Sequence, residues 1–222
     1  MISLYIMSQF VHLHVHTEYS LLDGVASIST LVDKAMADGM PGMAITDHGN
    51  MFGIKEYFNY VNKKNGKTLG AIKDAKKALE KAKADGDSEA AATAEAEIAK
   101  LQKKIFKPIF GCEMYVAQKS LHEHVDKKDT GRHLIVLAKN ETGYHNLVKL
   151  VSKAWTEGFY SHARTDKSEL AKYNEGLIVC SACLGGEISR LLQAGLFEEA
   201  DRQVAWFKET FGDDYYIELQ RH

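Results

Sequence analysis

Apolar and polar positions along the chain predict strands and helices in alternation. Short apolar runs predict strands at 10–16, 42–46, 108–116, 133–138, 176–180 and 215–219. Apolar stripes at helical spacing predict helices at 28–38, 52–63, 141–157, 167–172, 185–193 and 197–211. Strands that alternate with helices are typical of parallel pairing, in a (β/α) barrel or a doubly wound sheet.

Residues 67–104 interrupt this pattern with a stretch rich in Ala, Lys and Glu. The flanks are strong helix formers, and Asp85-Gly86-Asp87 in the middle predicts a turn. We expect a charged helical-hairpin insertion within one domain that spans 1–222, with a disordered linker as the alternative. Acidic and basic residues are mixed here, which argues against a nucleic-acid-binding arm.

Composition narrows the function classes. The chain has 222 residues, 45% of them hydrophobic, and a net charge of -2, which suits one domain with a sizeable core. Near neutrality argues against bulk electrostatic capture of nucleic acid and leaves room for a local basic pocket. Three cysteines beside ten histidines fit a reducing cytoplasm with metal or thiol chemistry better than a disulfide scaffold. No apolar run approaches membrane-spanning length, so we expect no membrane partner.

Three histidines, His12, His14 and His16, alternate with apolar residues. On a strand they would share one face. Neutral imidazole is the commonest protein ligand for zinc-like ions, so the row predicts a metal site. A polar strand face is the plain alternative, and His12 is also a candidate core residue.

Further donors lie within or after the predicted strands, and a parallel β/α architecture collects functional groups where its strands end. They are Asp23, Asp47, His48, Glu113 and Cys183. Each also has a structural interpretation: Asp23-Gly24 as a turn, Asp47-His48 as a helix cap, Glu113 as a paired core acid, and Cys180 with Cys183 as a redox pair. Mixed oxygen, nitrogen and sulfur donors suit zinc, manganese or iron better than magnesium or calcium. His133 precedes its strand, so simple polarity places it at the wrong end, and His122, His124, His145 and His162 are predicted to lie on the surface.

Five stretches resemble the PHP (polymerase and histidinol phosphatase) domain family. They are 11–24, 44–53, 111–116, 133–150 and 181–186. These motifs are most similar to those of the PHP domains at the N-termini of bacterial replicative polymerase alpha subunits. The resemblance covers nearly the whole chain except 67–104.

This resemblance implies a distorted (β/α)7-type barrel with a multinuclear metal cluster at one end. It places ligands at His14, His16, Asp23, His48, Glu113, His133 and Cys183. Glu113 would bridge two metals, one completed by His133 with Cys183 and the other by His14 with His16, while Asp23 and His48 would hold a third. The family's last motif, Asp-x-His, is expected beyond His222. We therefore expect a truncated fragment whose barrel and metal cluster are incomplete at the C-terminal end.

The function implied by the resemblance is phosphodiester hydrolysis by metal-activated water, as a 3′–5′ proofreading exonuclease in a DNA-directed DNA polymerase. The implied partners are the primer 3′ end of DNA and other replicase subunits. Arg132, Lys139 and Arg164 are candidate phosphate contacts. The alternatives are a small-phosphate phosphoesterase or pyrophosphatase, and a non-catalytic module that stabilises the polymerase and docks its partners.

Overall fold

A computed structural model describes residues 10–123 and 129–220. The helices are α1 (Ile28–Ala37), α2 (Ile54–Asp85), α3 (Ser88–Gln102), α4 (Glu141–Thr156), α5 (Lys167–Lys172), α6 (Glu187–Gln193) and α7 (Phe197–Phe211). The strands are β1 (Gly42–Ile45), β2 (Lys107–Val116), β3 (Arg132–Ala138), β4 (Phe159–Tyr160), β5 (His162–Thr165), β6 (Leu177–Cys180) and β7 (Tyr215–Tyr216). No helix in these residues is both long and apolar enough to cross a membrane.

The strands form one mixed sheet in the order β4-β5-β2-β3-β6-β7, with β1 beside β2. The predicted α/β class is confirmed. The described strands form an open sheet and do not close into a ring, which is consistent with a partial barrel.

The expectation of parallel pairing holds for only part of the sheet. β2 pairs parallel with β5, and β6 pairs parallel with β7. β3 runs antiparallel to both of its neighbours, β2 and β6. A parallel connection needs a crossover, usually a helix, and the described residues between β2 and β3 contain none. β3 therefore returns directly beside β2.

The strand predicted at 10–16 does not form: the segment is irregular, with a bend at His14, so that prediction is wrong. Val15 accepts a hydrogen bond from Thr46 N–H at 2.8 Å, while its own N–H donates to the Thr46 hydroxyl at 2.9 Å. Thr17 N–H donates to the Asp47 carboxylate at 2.6 Å. Because side-chain oxygens replace backbone carbonyls as acceptors, a regular ladder does not form.

The described residues divide into two compact units. The first comprises 10–12, 27–43 and 55–108. In it, Ser27 caps α1, which buries Ile28 and Val32. The Asn65 side chain exchanges two hydrogen bonds with the backbone of Phe106, at 2.9 and 3.1 Å.

Helices α2 and α3 occupy the stretch where the hairpin is predicted. The turn contains Gly86, whose φ of +72° is left-handed, and Asp87 then caps α3 by accepting from Ala90 N–H. The separate helix predicted at 52–63 is the beginning of α2, which runs unbroken to Asp85. Its two interior glycines, Gly66 and Gly70, cost the helix only about 1 kcal/mol each and do not end it.

The second unit comprises 13–26, 44–54, 109–123 and 129–220. Both faces of its sheet are buried. Leu134 and Val136 of β3 face a core built with α4, α5 and α7, whereas Ile135 and Leu137 face a second cluster. This alternation follows from the two-residue period of a strand.

Candidate metal centre

Glu113 of β2 lies at the middle of a cluster of histidines in the second unit. Its carboxylate is buried, with 1% of the side chain exposed. Oε2 lies 2.6 Å from His14 Nε2 and 3.1 Å from His16 Nε2. Oε1 lies 2.7 Å from His133 Nδ1 and 3.0 Å from His48 Nδ1. Four imidazoles thus approach one carboxylate from two sides.

A buried aspartate, Asp47, holds the loop that carries His16 and Asp23. Its Oδ1 accepts hydrogen bonds from Thr17 N–H and from the Ser20 hydroxyl at 2.7 Å. Its Oδ2 accepts from the Thr17 hydroxyl at 2.9 Å. Since these contacts reach both Thr17 and Ser20 in the loop between His16 and Asp23, Asp47 fixes the conformation of the loop.

His48 follows β1 and Asp47 and faces two groups of the centre. Its Nε2 lies 2.8 Å from Asp23 Oδ2, and its Nδ1 lies 3.0 Å from the Tyr115 hydroxyl. The backbone N–H of His48 donates to the Ser20 hydroxyl, which links it to the loop held by Asp47.

His133 and Cys183 come from β3 and from the loop after β6. Their Nδ1 and Sγ atoms lie 3.5 Å apart. Ala182 has a φ of +61°, a left-handed conformation that is uncommon outside glycine and here directly precedes Cys183. A Cβ on Gly185 would lie 2.7 Å from His133 Nδ1, so the loop approaches the imidazole only because residue 185 is glycine.

Three groups in the described part of the chain have donor atoms close enough to share an ion. They are His14 with His16 and Glu113, His16 with Asp23 and His48, and Glu113 with His133 and Cys183. Glu113 belongs to two groups and so does His16. The structure thus brings together all seven residues to which the resemblance assigns a metal.

The donor set fits a cationic occupant on structural grounds. Glu113 Oε1 is buried, yet within residues 10–123 and 129–220 it has no hydrogen bond of acceptable angle, despite its two imidazole neighbours. An unsatisfied buried carboxylate oxygen is costly, and a metal ion in front of it would remove that cost. The nitrogen, oxygen and sulfur donors suit zinc, manganese or iron.

The charges of the cluster are strongly coupled. Burial would raise the pKa of Glu113, but the imidazoles of His133, His14, His16 and His48 outweigh it and hold that pKa far below its ordinary range. Burial acts to lower the pKa of His14, yet Glu113 and Glu218 overcome it and raise the pKa to about 9. Glu113 also raises the pKa of His48, against the effect of burial. Burial and the charge of Glu113 raise the pKa of Tyr115, which keeps its hydroxyl protonated.

The structure does not bring every predicted residue to the centre. Arg164 is fully buried, and its guanidinium contacts the Asp129 carboxylate at 3.1 Å and backbone carbonyls, so it is not placed as a phosphate contact. Lys139 lies at the opposite end of β3 from His133 and pairs with Asp214 at 2.8 Å. Arg132 lies at the start of β3, next to His133.

Two predictions about other histidines are also corrected. His12 is exposed and does not lie in the core. His162 is partly buried, with its ring 4.5 Å from that of Tyr115, so it lies at the edge of the centre. His124 lies outside the described residues.

Two residues of the site, Glu218 and Tyr115, are not predicted from the sequence, and neither is the structural role of Asp47. Glu218 follows β7, and its Oε1 lies 2.8 Å from His14 Nδ1. The rule that collects donors at strand ends would have selected Glu218, since it lies near the end of the strand predicted at 215–219. Tyr115 and the structural role of Asp47 carry no comparable local signal.

Comparisons with known proteins identify the family of this chain. The model of the PHP domain family matches residues 12–222. The chain is 44% identical over 217 residues to DNA polymerase III subunit alpha of Borreliella burgdorferi, covering 97% of this chain and 15% of that protein. It is 39% identical to the Treponema pallidum subunit over 96% of the chain and 15% of that protein. It is 35% identical to the Campylobacter jejuni subunit, over 97% of this chain and 15% of that protein. The chain spans about 15% of the length of these relatives. This chain belongs to the PHP domain family.

Proposed function

We propose that this chain is the PHP domain of a bacterial replicative DNA polymerase alpha subunit and that its centre hydrolyses phosphodiesters. The substrate would be a mispaired primer 3′ end, which makes the activity a 3′–5′ proofreading exonuclease. The observation that carries the proposal is the sharing of Glu113 between two of the three donor groups. A shared carboxylate is suited to holding two ions side by side.

Different residues of the chain would have separate roles in this reaction. Glu113 with its histidines and Cys183 would hold two ions of zinc, manganese or iron, and Asp23 with His48 would hold a third. When bound, such ions lower the pKa of water, orient a phosphate and neutralise charge that develops on it. The Tyr115 hydroxyl, 3.0 Å from His48 Nδ1, would donate a hydrogen bond to a phosphate oxygen. Arg132, next to His133, remains the predicted phosphate contact.

The first test uses, as the parent protein, the full-length polymerase subunit that we propose contains this chain. It compares this parent with Glu113→Gln and with Glu209→Gln, a control that removes an exposed charge from α7. Each protein is loaded with zinc or manganese, dialysed and measured for metal content. Each is then assayed on a labelled primer with a mispaired 3′ end, on p-nitrophenyl phosphate and on pyrophosphate. We expect Glu113→Gln to lose bound metal and about 100-fold or more of the release from DNA, while Glu209→Gln matches the parent.

The same assays separate the alternatives. Hydrolysis of the small phosphates without release from DNA would favour a phosphoesterase or pyrophosphatase. A lower melting temperature of Glu113→Gln, with no hydrolysis by any protein, would favour a structural module. The exonuclease proposal is wrong if metal-loaded parent releases no nucleotide, or if Glu113→Gln releases it as fast as the parent.

A further inference from the structure

Glu218 approaches His14 from the side opposite Glu113. Glu218 Oε1 lies 2.8 Å from His14 Nδ1, and Glu113 Oε2 lies 2.6 Å from His14 Nε2. The two ring nitrogens therefore face different carboxylates. A carboxylate at one nitrogen of a ligating histidine orients the ring and leaves the other nitrogen for the ion.

The position of Glu218 is built by the sheet. β7 pairs parallel with β6, and Ser181 N–H donates to the Tyr216 carbonyl at 3.0 Å. The Ser181 hydroxyl in turn accepts from Glu218 N–H at 2.9 Å. Gln220 donates to Glu218 Oε1 at 2.6 Å. The backbone and the carboxylate are thus both anchored, with only 18% of the side chain exposed.

The three donor groups do not include Glu218. Its contact with the centre runs through the far nitrogen of His14, so its effect on an ion is indirect. The carboxylate is a stronger acceptor than a carbonyl or a water, and His14 is one of only two histidines in its donor group.

We propose that Glu218 is a positioning residue of the metal centre: it accepts a hydrogen bond from His14 Nδ1 and so directs Nε2 toward the site shared with His16 and Glu113. The inference rests on the proposed metal centre. It adds a residue that acts on the ion through His14.

The binding test uses Glu218→Ala, Glu218→Gln and the control Glu209→Gln in calorimetric titrations with zinc and with manganese. We expect Glu218→Ala to bind the ion about 10- to 100-fold more weakly than the parent, because His14 is no longer oriented. Glu218→Gln should lose less, since its amide oxygen still accepts a hydrogen bond from Nδ1. Glu209→Gln should bind as the parent does. Circular dichroism checks that each variant is folded.

An independent measurement uses the metal-free proteins. Imidazole ¹⁵N–¹H spectra should show a slowly exchanging Nδ1 proton for His14 in the parent and in Glu209→Gln, and its loss in Glu218→Ala. A folded Glu218→Ala that keeps both this signal and the parent's metal affinity would overturn the inference. A parent protein that binds no metal would refute the proposed function instead, and the spectra would still decide whether Glu218 orients His14.

Discussion

The pairing of His14 with Glu113 and Glu218 ties the stability of the metal-free protein to pH. The pKa of His14 is raised from 6.5 to about 9, so its stabilising effect is complete below pH 6.5 and is lost as the pH rises through 9. The pKa of Glu113 is lowered, so its contribution is complete above its unfolded value of 4.5 and is lost on acidification. Both contributions are complete together between about pH 4.5 and 6.5.

We therefore expect the free energy of unfolding of the metal-free protein to fall by about 3 kcal/mol between pH 6.5 and 9.5. Urea unfolding at several pH values measures this change. His14→Gln should flatten the profile, whereas His145→Gln, which changes an exposed histidine on α4, should leave it unchanged. A parent profile as flat as that of His14→Gln would contradict the expectation.

At the scale of elements, the sequence predicts where most strands lie but not the direction in which they pair. Simple strand polarity places His133 at the wrong end of its strand. However, β3 runs antiparallel to β2, and His133 pairs with Tyr115 near the end of β2. The start of β3 and the end of β2 therefore lie at the same edge of the sheet. Strand existence follows from local apolar runs, but direction depends on pairing between distant segments. The lack of a predicted helix between 116 and 133 was the available signal.

The loop between His16 and Asp23 depends on the side chain of Asp47, whose carboxylate accepts hydrogen bonds from Thr17 and Ser20. Asp47→Asn would keep one acceptor oxygen for Thr17 N–H and the Ser20 hydroxyl, but it would put an amide N–H in place of Oδ2, which now accepts from the Thr17 hydroxyl, and would remove the negative charge from these hydrogen bonds. We expect a loss of about 2–3 kcal/mol in stability and weaker metal binding, because His16 and Asp23 lose their fixed positions. Thermal unfolding and metal titration measure the two effects, with Asp201→Asn on exposed α7 surface as the matched control. If Asp47→Asn matched the parent in both measurements, the loop would keep its conformation without the Asp47 carboxylate.

For the whole molecule, the seven candidate ligands come from three separate stretches of the chain and fall in one compact unit. Patterns along the sequence identify most of the individual donors, since they lie in or after apolar runs. His133 precedes its run, and only the resemblance identifies it as a ligand. The patterns do not show which donors share an ion, because that depends on register and on loops such as the turn around Ala182. The motif resemblance supplied those groupings, and the three clusters in the structure have the same pairs, with His16 as an additional member beside Asp23 and His48.

Helices α2 and α3 lie in the other unit and contain none of these ligands. No residue of α3 is buried, so its removal exposes little new apolar surface. We propose that the hairpin is an insertion and expect a protein in which a short glycine-containing turn replaces residues 76–97 to bind zinc with the parent's stoichiometry and affinity. Elemental analysis and calorimetric titration measure both, and Glu113→Gln in the shortened protein supplies the negative control. A shortened protein that folds, as judged by circular dichroism, but binds no zinc would show that the hairpin contributes to the metal centre.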